Sequence, residues 1–417
     1  MDKSNHSIQI NKEKCVGCVL CMKACPTKAI RIYSGKAEID DELCVDCGEC
    51  YRVCPYDAVT PLTTSYGDIK RFKFKVAVPS PVLYTQFGRE VMPNQILLAL
   101  KKIGFDYVFD AAWTCEIINA AIEKYLRENP TPRPIISTVC PATVRLILHL
   151  YPNLVDNIIP INLPREIAAK SIRNKISKEY NIKKDEIGII HISPCAAKMV
   201  SITNPIGLTD SELDGAMSIK EIYSKLFRAL KTVDEEDILQ LSSGVGLGWA
   251  VSGGEVNGIN LDNCLAVSGV RDVMNILDEV EAGKLKEVEY LECLVCPNGC
   301  VGGPLTVENR HFAKKKAENL VEMYGKKSRV TSKMINHKYE EGFFFLNEKV
   351  KARPFPPLDD NPEKAIKKYR ELEKIVKELG GKECGACGAP DCRTLARDIV
   401  QNKAKISDCV FKKNNKE

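Results

Sequence analysis

The 417-residue sequence contains no run of 18 apolar residues, so no segment has the composition of a transmembrane helix. Its opening, MDKSNHSIQINKEKC, lacks the apolar stretch of a secretory signal. A cytoplasmic protein without a membrane partner is therefore expected. No basic stripe with interleaved aromatics is present, and the net charge is only +5. All of that excess lies in 351–417, with 16 Lys and Arg against 11 Asp and Glu, while the rest holds 44 of each. Solvated helix faces account for it, and no nucleic-acid partner is expected. The five histidines, His6, His149, His191, His311 and His337, have no ligand spacing. His191, in the run IGIIHIS, reads as a core residue. With 44% hydrophobic and 28% charged residues, collagen, mucin and extended disorder are excluded.

Cysteine, by contrast, is abundant. The chain has 19, an odd number that does not favour a closed disulfide framework. A cytosolic chain keeps its thiols reduced, which makes clustered cysteines metal ligands or catalysts. They fall into three zones: eight from Cys15 to Cys54, seven spread from Cys115 to Cys300, and four at Cys384, Cys387, Cys392 and Cys409.

The length predicts about two to four domains. Segments 1–65, 66–350, 351–380 and 381–417 are expected as an N-terminal module, a large domain, a linker with a helix, and a C-terminal module. The large domain reads as α/β. FKFKVAVPS, IGIIHIS and NCLAVSG suit buried strands, and EIINAAIEKYLREN and REIAAKSIRNKISKEY have helical periods. The Pro-rich RPFPPLDD precedes a helix with Asn361 as N-cap, Pro362 in its first turn and Gly380-Gly381 at its end. Ile366, Tyr369, Leu372, Val376 and Leu379 form its apolar stripe.

C-x2-C-x2-C-x3-C-P occurs twice, at Cys15, Cys18, Cys21, Cys25 and Pro26 and at Cys44, Cys47, Cys50, Cys54 and Pro55. Closely spaced thiolates can wrap the corners of a cubane, and the fourth cysteine of each run ligates the other cluster. Cys15, Cys18, Cys21 and Cys54 are thus expected to hold one [4Fe–4S] cluster, and Cys25, Cys44, Cys47 and Cys50 a second. Zinc is the rival, but zinc sites rarely use four cysteines packed so closely. The duplication resembles bacterial two-cluster ferredoxins, which implies a ferredoxin-like domain.

In the middle zone, Cys140, Cys195, Cys296 and Cys300 sit in Ser-Thr-Val-Cys-Pro, Ser-Pro-Cys-Ala-Ala-Lys and Glu-Cys-Leu-Val-Cys-Pro-Asn-Gly-Cys-Val-Gly-Gly-Pro. Each motif falls at an apparent strand exit, where α/β folds build sites, and the four cysteines could converge on one cluster. The glycines after Cys300 would let the backbone approach a bulky inorganic ligand. These motifs, in this order, resemble those of the [FeFe]-hydrogenases over roughly 70–345. Val78-Pro79-Ser80, Val108-Phe109-Asp110 and Ser252-Gly253-Gly254 add to the likeness.

The resemblance implies an H-cluster: a [4Fe–4S] cubane joined by one cysteine sulfur to a two-iron unit carrying CO, cyanide and a bridging dithiolate amine. Cys140, Cys195 and Cys296 would hold the cubane, and Cys300 would hold it and bridge. Lys198 and Ser80 fall where relatives donate to the cyanides, with Pro79 beside them. Arg165 takes the place of a glutamine near the bridging CO.

The departures are informative. The family's proton-relay cysteine is Val139 here, which cannot transfer a proton. Ala121, Ile122 and Tyr125 occupy a stretch where relay carboxylates are expected, and Ile159 replaces a relay serine. Ser193 and Leu294 replace motif methionines. This pattern resembles the sensory [FeFe]-hydrogenases, which keep the cluster ligands but alter the pocket. The expected function is slow, reversible H2 oxidation and proton reduction serving H2 or redox sensing. The alternatives are a conventional ferredoxin-linked hydrogenase with an unusual proton route and a non-catalytic iron–sulfur scaffold.

C-x2-C-G-x3-C with Cys409 resembles a small [4Fe–4S] module of several redox proteins. Zinc is again the rival, and the company of other cluster sites favours iron–sulfur. Sixteen cysteines are then ligands of four [4Fe–4S] units, one of them extended by two irons. Cys115, Cys264 and Cys293 remain as packing residues, as do Trp113 and Trp249. H2, protons and a redox partner such as ferredoxin are the expected partners. A signalling partner protein and a homodimer stand as further expectations.

Overall fold

The computed structural model describes residues 6–234 and 237–412. The outermost residues of the expected first and last modules, 1–5 and 413–417, lie outside them. The chain divides into two compact units, one of Met1–Ser7 and Leu62–Ala352, the other of Ile8–Pro61 and Arg353–Glu417. The segments read as separate N- and C-terminal modules thus fold into one unit.

In the smaller unit, strand β1 (Ile8–Ile10), helix α1 (Leu20–Ala24), strands β2 (Ile30–Tyr33) and β3 (Lys36–Ile39), helix α2 (Glu49–Val53) and strand β4 (Val59–Pro61) follow in order. β1 pairs antiparallel with β4, and β2 with β3. Ser34 and Gly35, both at positive φ, close the β2–β3 hairpin, the backbone that a two-residue turn requires. The sequence duplication is also a structural one. α1 and α2 each follow a left-handed residue, Val19 or Gly48, and each ends at an extended cysteine, Cys25 or Cys54.

The helix Pro362–Leu379 starts as the sequence predicts. Asn361 Oδ1 accepts from the amides of Glu363 and Lys364, and Gly380 ends it in the left-handed region at φ 78°. Its apolar stripe is only half used. Leu372, Ile375 and Leu379 pack on Leu395, Ala396 and Val400, whereas Ile366 and Tyr369 are exposed. The opposing helix Cys392–Val400 has 9 residues against 18, so it covers only the last turns.

The larger unit is α/β, as expected. β5 (Phe74–Pro79), β6 (Tyr107–Val108), β8 (Ile187–Ser193) and β9 (Gly215–Ser218) form a parallel sheet in the order β6-β5-β8-β9. β7 (Ile135–Ile136), β10 (Cys264–Ser268) and β11 (Tyr290–Leu294) form a second in the order β10-β11-β7. β8 and β11 are buried along their whole length, which explains the continuous apolar run of β8. Helices α3 (Pro93–Lys102), α4 (Ala111–Glu128), α5 (Pro141–Leu150), α6 (Pro164–Glu179) and α7 (Ala197–Thr203) connect the strands. His191 is a core residue, its Nδ1 2.9 Å from the Val78 carbonyl, and burial depresses its basicity. Among the described residues no helix is long and apolar enough to cross a membrane.

Candidate metal centres

The middle-zone cysteines leave the carboxyl ends of strands from both sheets. The turn after β7 leads to Cys140, which begins α5 with Pro141 behind it. Cys195 lies between β8 and α7, and Cys296 and Cys300 follow β11. Burial raises the pKa of Cys195, and the nearby Cys140 thiol adds to it. Burial pushes Cys300 up to about 11, opposed by Lys198 and assisted by Cys140 and Cys195. These three thiols therefore share one electrostatic field. Cys296 is buried on the same turn as Cys300.

Lys198 is buried on α7, close enough to act on Cys195, Cys300 and Cys115. Arg165, near the start of α6, is buried too. Its Nη2 donates to Ser201 Oγ at 2.8 Å, while its Nε has no hydrogen-bond partner. Burial lowers its pKa, and Glu166, Cys195, Cys140 and Cys300 all pull the other way. Pro79 ends β5 in register with Ile192. The Ser80 amide donates to the Ile192 carbonyl at 2.9 Å, and its hydroxyl accepts from Val82 N at 3.4 Å.

Val139 is half-buried, and its amide donates to Ser137 Oγ at 3.1 Å. Its side chain packs on an apolar cluster that includes Cys115, Ala121, Ile122, Ile159 and Trp249, with Tyr125 at its margin. Trp113 joins the same margin. Cys293 is fully buried on β11, and Cys264 is half-buried on β10. The glycines after Cys300 sit where backbone segments come very close. A Cβ on Gly302 would stand 2.0 Å from the Pro297 carbonyl oxygen, and one on Gly303 2.5 Å from that of Pro194. They let backbone segments close on one another.

The sequence reading missed a buried carboxyl pair. Glu255 receives hydrogen bonds from Ser137 Oγ and Tyr290 Oη, and Glu292 accepts from the amides of Gly253, Glu255 and Val256. Burial and mutual repulsion raise Glu255 to about 8, and burial raises Glu292 to about 7. Asp110 and Glu116 are further buried braces. Asp110 accepts from Tyr84 Oη and the Ser242 amide, and Glu116 from the amides of Ser243 and Arg329. Glu292 and Asp110 lay inside quoted motifs, which was the one available signal. Nothing in the sequence marks Glu255 or Glu116.

In the smaller unit, Cys15, Cys18, Cys21 and Cys54 line one cavity with Ile32 on its side. Burial pushes Cys21 up to about 11, with Cys15, Cys18 and Cys54 contributing. Burial raises Cys47 well above the usual thiol range, and Cys25, Cys50 and Cys44 reinforce it. Cys54 thus lies with Cys15, Cys18 and Cys21, and Cys25 with Cys44, Cys47 and Cys50. The amides of Ala37 and Ala29 donate to the sulfurs of Cys15 and Cys25, each at 3.3 Å. At the C-terminal end, burial raises Cys387, and Cys384 and Cys409 add to it. Cys392 opens the helix Cys392–Val400.

No three Cys, His, Asp or Glu side chains among the described residues close around a point as the ligands of a single ion do. The N-terminal thiols instead ring a cavity, and amides point at their sulfurs. The orphaned Arg165 Nε and the buried Lys198 sit among the thiols of the larger unit. That donor set suits polynuclear, anionic iron–sulfur groups.

Comparisons with known proteins agree. The iron-only hydrogenase large subunit, C-terminal domain family matches residues 73–260 and 248–304. The 4Fe-4S dicluster domain matches 7–55, and an Fe-S cluster family matches 379–411. The periplasmic [Fe] hydrogenase large subunit of Nitratidesulfovibrio vulgaris is 25% identical over 363 residues, spanning 72% of this chain and 86% of its own. The cytosolic Fe-S cluster assembly factor NAR1 of Candida dubliniensis is 28% identical over 134 residues, 31% of this chain and 23% of its own. The fold is that of [FeFe]-hydrogenase HydA1 from Chlamydomonas reinhardtii, with a TM-score of 0.54 at 14% identity over 69% of this chain and 97% of the other. With more than half of its length matched by the family model, the chain belongs to the iron-only hydrogenase large-subunit family.

Proposed function

We propose that the chain interconverts H2 with protons and electrons, slowly, and that this serves H2 or redox sensing. An H-cluster on Cys140, Cys195, Cys296 and Cys300 supplies the metal chemistry when bound. The other twelve proposed ligand cysteines hold three further [4Fe–4S] clusters as electron carriers. Thiols raised by burial stay protonated near neutral pH, so loading releases protons. The Lys198 ammonium and the Arg165 guanidinium, whose Nε lies 3.9 Å from the Glu166 carboxylate but makes no hydrogen bond, supply fixed positive donors for anionic ligands. Ser80 adds a hydroxyl whose proton is not used by its own cap.

The observation that carries the slow, sensory reading is the surroundings of Val139. The first proton-transfer position is a valine, and behind it Ala121, Ile122 and Ile159 are packed in an apolar cluster. A relay needs titratable groups within hydrogen-bond reach. The experiment is infrared spectroscopy of protein matured with the two-iron unit, with H2 evolution and H2-driven cluster reduction measured together. CO and cyanide bands, reduction by H2 and low evolution support the proposal. Evolution as fast as in ordinary relatives overturns the sensory part.

The likeness to cytosolic Fe-S assembly factors favours a second reading, a scaffold without H2 chemistry. Absence of CO and cyanide bands after maturation would select it. The buried cations Lys198 and Arg165 among the site thiols weigh against it.

A further inference from the structure

The C-terminal four-cysteine module is built onto the β2–β3 hairpin of the ferredoxin-like half. The Ile32 amide donates to the Gly388 carbonyl at 2.8 Å, and Gly388 directly follows Cys387. The approach is so close that a Cβ on Gly388 would stand 2.1 Å from the Ile32 carbonyl oxygen. Lys23, on α1 between Cys21 and Cys25, donates through Nζ to the carbonyls of Glu383 and Pro390 at 2.6 and 2.7 Å. Arg31 and Asp398 form a buried ion pair, with Nε to Oδ2 at 2.6 Å and Nη2 to Oδ1 at 3.1 Å. Lys28 and Asp391 add a second pair at 2.5 Å.

Strand β2 is therefore shared between two cysteine sites. Ile32 lines the cavity of Cys15, Cys18, Cys21 and Cys54, and it also lines the space beside Cys387. One strand of backbone separates them. Electron transfer through protein weakens exponentially with separation, so a partition one strand thick, held by a two-bond Arg–carboxylate contact, favours fast exchange.

We propose that the C-terminal site and the first N-terminal site are a single electron-exchange pair coupled across β2, with Arg31 and Asp398 as positioning residues. This rests on the reading that both sites hold [4Fe–4S] clusters. The step moves one electron from a reduced cluster to its oxidised neighbour; no bond or proton changes. The electron comes from a soluble one-electron donor of the ferredoxin class. Cys384 is exposed, which leaves the outer edge of the C-terminal site open to such a donor.

The test is electron paramagnetic resonance of the full-length, iron-loaded chain reduced with dithionite. The expected result is a C-terminal cluster signal broadened and relaxed by its reduced neighbour. Gly388→Ala and Asp398→Ala should each narrow that signal at unchanged iron content. If Gly388→Ala fails to load, Asp398→Ala and the wild-type spectrum still decide the matter. A wild-type spectrum equal to the sum of isolated clusters overturns the proposal, as does broadening that survives both variants at full iron content. The cluster reading is checked separately. If the double variant Cys384→Ser, Cys387→Ser keeps the wild-type iron content and spectrum, the C-terminal site holds no such cluster and the pair does not exist.

Discussion

The Ser137 hydroxyl stands 3.0 and 2.8 Å from the two carboxyl oxygens of Glu255, three residues before the site cysteine Cys140. Tyr290 Oη donates to the same group at 2.7 Å, and Glu292 lies next to it. Four buried polar side chains thus share a small space. Two ionised carboxylates there would be costly; burial with repulsion from Glu292 holds Glu255 near 8, and burial holds Glu292 near 7, against an ordinary 4.5.

Both folded-state values are raised, so the folded state keeps protons that the unfolded state loses. Stability is fully present below about 4.5 and falls as pH rises toward 8. The slope is about 1.4 kcal/mol per pH unit for each retained proton. Glu255→Gln keeps the shape and removes one of these groups. Urea midpoints from pH 5 to pH 8.5 should fall less steeply in the variant than in the wild type. Parallel pH profiles would disprove the assignment.

Val139→Cys places a thiol at the proposed first relay position, but the apolar cluster with Ala121, Ile122 and Ile159 remains behind it. A positioned acid–base group contributes about 10²–10⁴-fold when its chain of partners is complete. The single change should therefore raise H2 evolution by well under about 10²-fold. Adding Ala121→Glu, which supplies a carboxyl in the next stretch, should raise it further. Full recovery by Val139→Cys alone would mean that protons already reach that point by another route.

Lys198→Met removes the buried ammonium with little change in side-chain length. The protein should retain the iron of its cubane sites and lose the two-iron unit, read as missing CO and cyanide bands with total iron down by about two per chain. Bands of unchanged frequency and intensity would remove Lys198 from the site.

The chemistry of this chain was more legible than its assembly. In the N- and C-terminal modules, short cysteine spacing, with Pro26 and Pro55 as punctuation, marked the candidate ligands; Cys140, Cys195 and Cys296, far apart in sequence, were marked only by their Pro, Ser and Gly neighbours at strand exits. The runs of β5 and β8 were legible because central parallel strands are apolar on both faces. The docking of the C-terminal module was not. It depends on Arg31, Asp398 and Gly388, which are separated by 367 residues in the case of the ion pair and carry no local pattern. Glu255 was hidden for a related reason. A lone glutamate after two glycines looks like surface, and only the fold shows that it faces Glu292 and Tyr290. The exposed Ile366 and Tyr369 show the converse, since a helical stripe does not say how long its partner helix is.

Two glycines offer a last test, Gly302 in the third cysteine motif and Gly342 far from it, because they should fail for different reasons. At Gly302 a Cβ would meet the Pro297 carbonyl oxygen at 2.0 Å, and that atom is backbone that cannot rotate away. Gly302→Ala should cost about 3 kcal/mol, the upper end of overpacking, and should displace the turn that carries Cys296 and Cys300. At Gly342 the φ is 75° but nothing lies within 4 Å of a Cβ. Gly342→Ala should cost about 1 kcal/mol, the left-handed penalty alone. Urea midpoints give both values, and iron bound per chain separates them further, since only Gly302→Ala should lower it. Equal costs at the two positions would mean that the Pro297 turn gives way, and that its backbone is not what fixes Cys296 and Cys300.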